Sequence, residues 1–523
     1  MTTPPKWQRS SLTYPKIPVF ELLKETARRL PQKPAVIDPY GGRTLTYADL
    51  DRESDVLAGV FERWGVQKGD RISFFLSNGW EYFVGFYGAL KAGAIVSPIN
   101  PTYRDRKVQH QVADSESKII FVQNKLLPQV LGILSGLPTV EKIILTRGET
   151  KGDGRFFSLP ALLEKDSPFT SFPAIAPETD LAALPYSSGT AGQSKGVMIT
   201  HFNLVANIKQ SMVAVETRQE DVFLSFLPFN HIYGLTYYLG GAVYLGATQV
   251  TMARFEAEEC LRLIEKHRVT VLFAVPPALL AFLNLPHGAN YDVSSLRLIW
   301  AGAAPLPPPI AWGIRQKFGV PVARHYGLSE ASPTTHANPS ARIKDGSVGI
   351  AVSDLEDRIM DWEKGLQEMP AGEPGELAVR GPNIFQGYWK HPEDTKLALR
   401  NGWLYTGDIA WRDAEGYVYI LDRKKEMIRR GEHKFAPAEL EGILMEHPSV
   451  RDCAVVGIPD PGFGERPKAF VALHPGIVVE PEELMEFVAE RVPEYKQIRE
   501  VALIPEIPKN FSGKILRRIL KIG

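Results

Sequence analysis

The feature that most restricts the fold is a repeated alternation. Over the first two-thirds of the 523 residues, short runs that are apolar nearly throughout take turns with amphipathic stretches. RISFFL (71–76), AIVSPI (94–99), KIIFVQ (118–123) and KIILTR (142–147) are four such runs. After Pro177 the pattern resumes with LAALPY (181–186), VFLSFLP (222–228), VTVLFAV (269–275), LRLIWAG (296–302) and VPVARHY (320–326). A strand with one wet face alternates apolar and polar residues, whereas a strand covered on both faces is apolar at successive positions. The intervening segments read as helices. Thr46-Tyr-Ala-Asp49 has capping-box spacing, followed by Leu50, Val56, Leu57, Val60 and Phe61 on one face up to Gly65. Trp80 to Lys91, a stretch from His201 and the amphipathic segment Phe255 to His267 read the same way. The expected fold class is α/β, with parallel sheets covered on both faces.

Past about residue 331 the texture changes. Short alternating runs between Gly and Pro turns (SVGIAV, EDRIMDW, GELAVRG, GYVYIL) predict a small antiparallel sheet or barrel. Beyond Asp422 a compact α+β unit is expected. Its pieces are a helix from Pro437 to Met445, strands CAVVGI and KAFVAL, a helix from Glu482 to Arg491 and a basic helix from Lys514. The charged run DRKKEMIRR (422–430) is the candidate linker, which divides the chain into residues 1–421 and 422–523.

Charge narrows the partners. Lys plus Arg number 60 and Asp plus Glu number 60, so there is no basic excess of the kind a dedicated nucleic-acid binder carries. The 2 cysteines, Cys260 and Cys453, supply neither a disulfide framework nor a four-thiolate zinc site, and a cytoplasmic setting is expected. The start MTTPPKWQRSSLTYPK is not a secretory signal. Residues 224–253 contain no Asp, Glu, Lys or Arg, but Pro228, Asn230, His231 and four glycines interrupt them. They read as buried core, with peripheral membrane contact as the alternative.

Four segments carry chemistry. In Tyr186-Ser-Ser-Gly-Thr-Ala-Gly-Gln-Ser-Lys195-Gly, Gly189 and Gly192 permit tight turns that converge amide hydrogens on an oxyanion. Ser187, Ser188 and Thr190 add hydroxyls and Lys195 adds charge. The composition suits phosphate, although the spacing is not that of a Walker A loop, and a flexible surface loop is the plain alternative. Tyr326-Gly-Leu-Ser-Glu330 sits at the carboxyl end of an expected parallel strand, where α/β sheets bind ligands. There Glu330 is placed to hold Mg2+ and Tyr326 to stack on a purine, or both serve only packing and solvation. Asp408 follows a Gly turn in Trp403-Leu-Tyr-Thr-Gly-Asp408, and Arg423 ends Tyr417-Val-Tyr-Ile-Leu-Asp-Arg423. Together they offer an acceptor and a donor to a sugar diol, or simple turn chemistry. In Pro508-Lys-Asn-Phe-Ser-Gly-Lys514, Gly513 permits a turn that projects Lys514, which could equally belong to a solvated basic helix. His231, in PFNHIYG, is alone in apolar surroundings.

In this order, from about Thr46 to Leu520, these segments resemble the adenylate-forming acyl-CoA synthetases, the superfamily that includes luciferases and peptide-synthetase adenylation domains. The resemblance implies a large N-terminal domain of two α/β subdomains and a small β-barrel. It also implies a mobile α+β C-terminal domain that turns about Lys425. By the same resemblance Ser187 to Lys195 wrap the phosphates of ATP, and Gly302, Ala303 and Ala304 line the adenine side. Tyr326 stacks on adenine, Ser329 contacts the α-phosphate and Glu330 binds Mg2+. Asp408 and Arg423 hold the ribose, Ile420 packs nearby, and His231 borders the carboxylate pocket. Lys514 bridges the carboxylate and the α-phosphate, and Gly431 flanks the incoming pantetheine of coenzyme A. The chain departs from the family pattern at Ala191, Ser194, Ser329 and Ile420, and GEHKFAPAELE (431–441) carries one extra residue between Gly431 and Pro437.

The implied reaction activates a carboxylic acid as acyl-AMP and transfers the acyl group to CoA. A medium- or long-chain fatty acid is the expected substrate, with the apolar run 232–245 as a candidate acyl wall. An aromatic or branched carboxylate is the alternative, as is a nucleotide-binding protein of this fold that does not catalyse. The sequence leaves monomer and homodimer open.

Overall fold

The apolar runs assemble into two separate sheets. In the computed structural model, residues 9–148, 154–169, 171–187, 194–510 and 512–522 are described. The first sheet has eight strands, in the order Gly387–Tyr388, Val197–Thr200, Leu181–Ala183, Ile95–Pro98, Arg71–Phe75, Ile119–Val122, Lys142–Leu145 and Phe156–Ser158. It is parallel from Leu181–Ala183 to Phe156–Ser158. The second has nine strands and a parallel centre running Val322–Gly327, Leu298–Ala301, Val271–Ala274, Val222–Ser225, Thr248–Thr251 and Pro34–Asp38. Antiparallel strands close both its edges.

Two of the long helices begin at reciprocal side-chain caps. Thr46 and Asp49 form a reciprocal cap on Tyr47–Arg63, and Thr200 and Asn203 do the same for His201–Ala214. Trp80–Lys91 is buried at every position, as a helix packed on more than one side must be. Within residues 224–253, the winding Ile232–Leu245 is interior: Tyr237, Tyr238, Leu235 and Leu239 are all fully buried. Among the described residues no helix is long and apolar enough to cross a membrane.

The small antiparallel sheet expected after residue 331 is present with five strands, but SVGIAV is not part of it: Ile350–Ala351 pairs with Thr334–Ala337 at the edge of the nine-stranded sheet. Glu356–Met360, Gly375–Arg380, Trp403–Arg412 and Leu399–Arg400 lie in that order, with Val418–Arg423 paired to Trp403–Arg412. Beyond it a second five-stranded sheet is built on the hairpin Val450–Asp460 and Gly464–Leu473. Alternate residues of this hairpin face two cores. Val455 and Val471 join Leu440 and Leu444 on one side, while Val456 and Phe470 join Ile507 and Leu520 on the other. The last helix is Arg517–Ile522, so it starts three residues later than expected and Lys514 lies in the preceding loop. The cause is Asn510, whose side-chain oxygen accepts the Ser512 and Lys514 N–H groups and closes a tight loop before any helical turn.

Candidate active site

The register of one strand pair creates the centre of the site. Asp408 stands directly opposite Arg423 in the pairing of Trp403–Arg412 with Val418–Arg423, and the Arg423 Nε lies 2.9 Å from Asp408 Oδ1. The second oxygen of Asp408 accepts the hydroxyl of Tyr326, at the carboxyl end of Val322–Gly327. Three residues read from three separate segments thus meet in one hydrogen-bonded group. Burial and the adjacent Asp408 carboxylate hold the Tyr326 phenol well above its usual range, and Asp408 raises Arg423. Tyr326 therefore stays a donor and Arg423 a cation.

Lys514 joins this group from the C-terminal unit. Gly513, at φ +89, turns the loop, and its backbone is pressed so close to Pro277 that a Cβ would sit 2.7 Å from the proline ring. Desolvation lowers the Lys514 ammonium to about 8, with the neighbouring Arg423 acting in the same direction and Asp408 opposing. A half-buried lysine close enough to feel an arginine's charge suits added negative charge.

A second group gathers about Glu330, in the turn Ser329–Ala331 that follows the Tyr326 strand. The Tyr388 hydroxyl donates to Glu330 Oε1 at 2.7 Å, and the Lys195 ammonium sits 5.5 Å from the Tyr388 ring centre. Lys195 is paired with Asp394 at 2.6 Å. The loop that ends at Lys195 is pinned at its base, where the Ser187 N–H donates to the Lys195 carbonyl at 2.9 Å. Ser188, Gly189, Thr190 and Gly192 lie outside the described residues. Tyr388 and Asp394 carry no signal within their own segments. The signal that finds them is the register of Gly387–Tyr388 against Val197–Met198, which lays the segment beside the Lys195 loop.

The remaining candidates flank these groups. The chain turns at Ala303, at φ +68, beside the half-buried Ala304. Gly302 packs against the His325 ring, where a Cβ would lie 2.2 Å from Nε2. His231 accepts the Tyr233 N–H on Nδ1 at 3.2 Å, and burial lowers it to about 4, so the ring is neutral. Tyr233 in turn packs on His325 at 4.8 Å between ring centres. Ile420 is opposite Ala410 and packs on the main core. Gly431 stands apart on the surface, at φ +60, and a Cβ added there would meet no atom within 4 Å.

A divalent cation has one candidate carboxylate here. Glu330 spends one oxygen on Tyr388, and among the described residues no group of three His, Cys, Asp or Glu side chains forms a protein cage. That donor set fits Mg2+ held by one carboxylate together with substrate phosphate oxygens.

Comparison with known proteins agrees with the geometry. A family model described as AMP-binding enzyme matches residues 23–389, and one described as AMP-binding enzyme C-terminal domain matches residues 439–514. A long-chain-fatty-acid–CoA ligase of Bacillus subtilis (strain 168) is 34% identical, with 97% of this chain and 95% of that protein aligned. A 4-coumarate–CoA ligase-like 9 protein of Oryza sativa subsp. japonica is 39% identical over 92% of this chain and 88% of its own length. Among solved structures, ATP-bound MatB from Rhodopseudomonas palustris superposes with a TM-score of 0.88, at 27% identity, over 97% of this chain and 99% of that one. The apo structure of that protein gives 0.78. The chain belongs to the AMP-binding enzyme family and is an acyl-CoA synthetase.

Proposed function

We propose that the enzyme couples ATP, an apolar carboxylic acid and CoA through an acyl-AMP intermediate, with residues 422–523 as a mobile domain. The observation that carries this reading is the meeting of Tyr326, Asp408, Arg423 and Lys514, residues from both parts of the chain. Tyr326 offers a ring face to adenine, and Asp408 with Arg423 offers an acceptor and a donor to the ribose. Gly302, Ala303 and Ala304 leave room on the adenine side, and Ile420 packs behind the sugar. Ser187 to Lys195 wrap the β- and γ-phosphates, Lys195 leaving Asp394 for them. Glu330 would hold Mg2+, which when bound neutralises phosphate charge.

A carboxylate and the α-phosphate repel each other. Lys514 stands between them and offsets that repulsion, while Ser329 orients the phosphate and His231 borders the carboxylate. The anhydride bond forms as pyrophosphate leaves. Turning about Lys425 withdraws Lys514 and brings Gly431 beside the pantetheine, whose thiolate then displaces AMP.

The acid is a medium- or long-chain fatty acid on the first reading, supported by the B. subtilis relative. The second reading is an aromatic acid. It is favoured by the rings of Tyr233, Tyr237 and Trp300 around His325, beside Gly302, and by the rice relative. A panel of fatty and aromatic acids with ATP, Mg2+ and CoA, read as AMP and thioester, decides. On the first reading kcat/KM rises about fourfold per added carbon until the pocket is full, since each buried CH2 contributes about 0.8 kcal/mol. Preference for a cinnamate- or benzoate-type acid over every fatty acid establishes the second. No AMP with any acid overturns the function.

A further inference from the structure

Glu376 lies beside the Asp408–Arg423 pair and has so far been given no role. It is in Gly375–Arg380, the central strand of the five-stranded sheet, and is 3% exposed. Its two oxygens reach two different chain segments. Oε1 accepts the N–H of Gly407 at 3.2 Å, and Oε2 accepts the ammonium of Lys424 at 2.7 Å. Gly407 immediately precedes Asp408, and Lys424 immediately follows Arg423. The Lys424 N–H also donates to the Gly407 carbonyl at 2.8 Å. Gly407 is therefore held at both its polar groups, at φ +70, a conformation open to glycine.

We infer that Glu376 is a positioning residue for the ribose site. Acting through Gly407 and Lys424, it sets the spacing of Asp408 and Arg423. The inference rests on the proposed nucleotide site. Asp408 and Arg423 already pair with each other, but a pair alone fixes only their mutual distance. The Tyr326 hydroxyl ties Asp408 on one side, but a ligand also needs the backbone that carries the pair fixed against the rest of the site. Arg423 is the last residue of its strand, and Asp408 follows Gly407 where the pairing of Trp403–Arg412 with Gly375–Arg380 shifts register. The buried carboxylate ties both positions to Gly375–Arg380 through Gly407 and Lys424, and charge-assisted hydrogen bonds are the strong kind. Lys424 also adjoins Lys425, so the same carboxylate anchors the N-terminal side of the turn between the two parts of the chain.

The test uses the full-length enzyme and compares ATP with 2′-deoxy-ATP and 3′-deoxy-ATP. Wild type, Glu376→Gln, Lys424→Ala and the double variant are assayed for KM of ATP, KM of the acid and thermal midpoint. The wild-type enzyme discriminates against the deoxy analogues. Glu376→Gln raises KM for ATP about tenfold or more, changes KM of the acid less than about twofold, and discriminates less between ATP and the analogues. Lys424→Ala moves the same readouts in the same direction, and the double variant is no worse than Glu376→Gln. Lys424→Ala alone carries the test if Glu376→Gln does not fold. A lowered thermal midpoint with unchanged ribose discrimination makes Glu376 merely structural and overturns the inference. Wild-type enzyme that ignores the deoxy substitutions overturns the ribose assignment itself.

Discussion

Lys514 is the residue whose setting says most about its work. It is lowered to about 8 by desolvation and by Arg423, yet on the proposed mechanism it acts as the cation. Its charged fraction falls as pH rises through that value. The expected outcome is that kcat/KM for ATP–pyrophosphate exchange declines above about pH 8, roughly tenfold per unit, because kcat/KM reports groups of the free enzyme. Lys514→Ala removes this limb and slows exchange about 100- to 1000-fold, the loss typical of one preorganised donor. Thioester formation from supplied acyl-AMP is largely spared. Arg518, exposed one turn along, is the control, and an Arg518→Ala variant as slow as Lys514→Ala refutes the role. Tyr326, Asp408, Arg423 and Lys514 were legible as candidates because each sits at a Gly turn or a strand end. Tyr388, Asp394 and Glu376 were not. Their signal is register across strands far apart in sequence, which single-segment spacing cannot carry.

At the scale of elements, a helix start was readable where a capping-box spacing marks it. Thr46 with Asp49, spaced as a cap, forms one. The last helix was misplaced because Asn510 diverts the chain into a loop, and a lone Asn offers no periodicity to read. That helix is solvated on one side only, with Arg518 exposed and Arg517 turned inward. Arg517 is buried between Glu441, at 2.6 Å, and Asp422, at 3.4 Å, and donates to the Val455 carbonyl. Burial raises both carboxyls, and Arg517 opposes that rise. The helix Arg517–Ile522 is thus clamped to the helix Pro437–Leu444 and to the end of Val418–Arg423. Arg517→Ala leaves two carboxylates buried without their cation, a loss of about 3–5 kcal/mol in urea unfolding at pH 7. Both groups then have folded pKa values above their unfolded ones, so the folded state binds more protons and the deficit shrinks as pH falls toward 5. A midpoint equal to that of Arg518→Ala refutes the clamp.

At the scale of the molecule, the two parts of the chain touch through contacts that the proposed rotation would exchange. Gly513 meets Pro277, and Lys434 pairs with Glu363 beside Trp362. The α/β layers and the C-terminal unit were legible because apolar runs report burial on both faces, a local property. Which surfaces meet is a property of pairs of distant residues, and Lys434 showed only as part of a segment with one extra residue. Gly431 tests the proposed exchange. In this arrangement it is exposed, and a Cβ there meets nothing within 4 Å. Its φ of +60 still strains any other residue, by about 1–2 kcal/mol. Gly431→Ala reports that strain alone, and Gly431→Leu adds bulk. With the proposed rotation, Gly431→Leu matches Gly431→Ala in ATP–pyrophosphate exchange, because adenylation leaves the position open. It falls well below Gly431→Ala in CoA transfer from supplied acyl-AMP, because the rotated domain brings the bulk into the pantetheine path. Equal losses for both variants in both half-reactions mean that Gly431 never approaches the thiol, and that the domain turns about another axis or not at all.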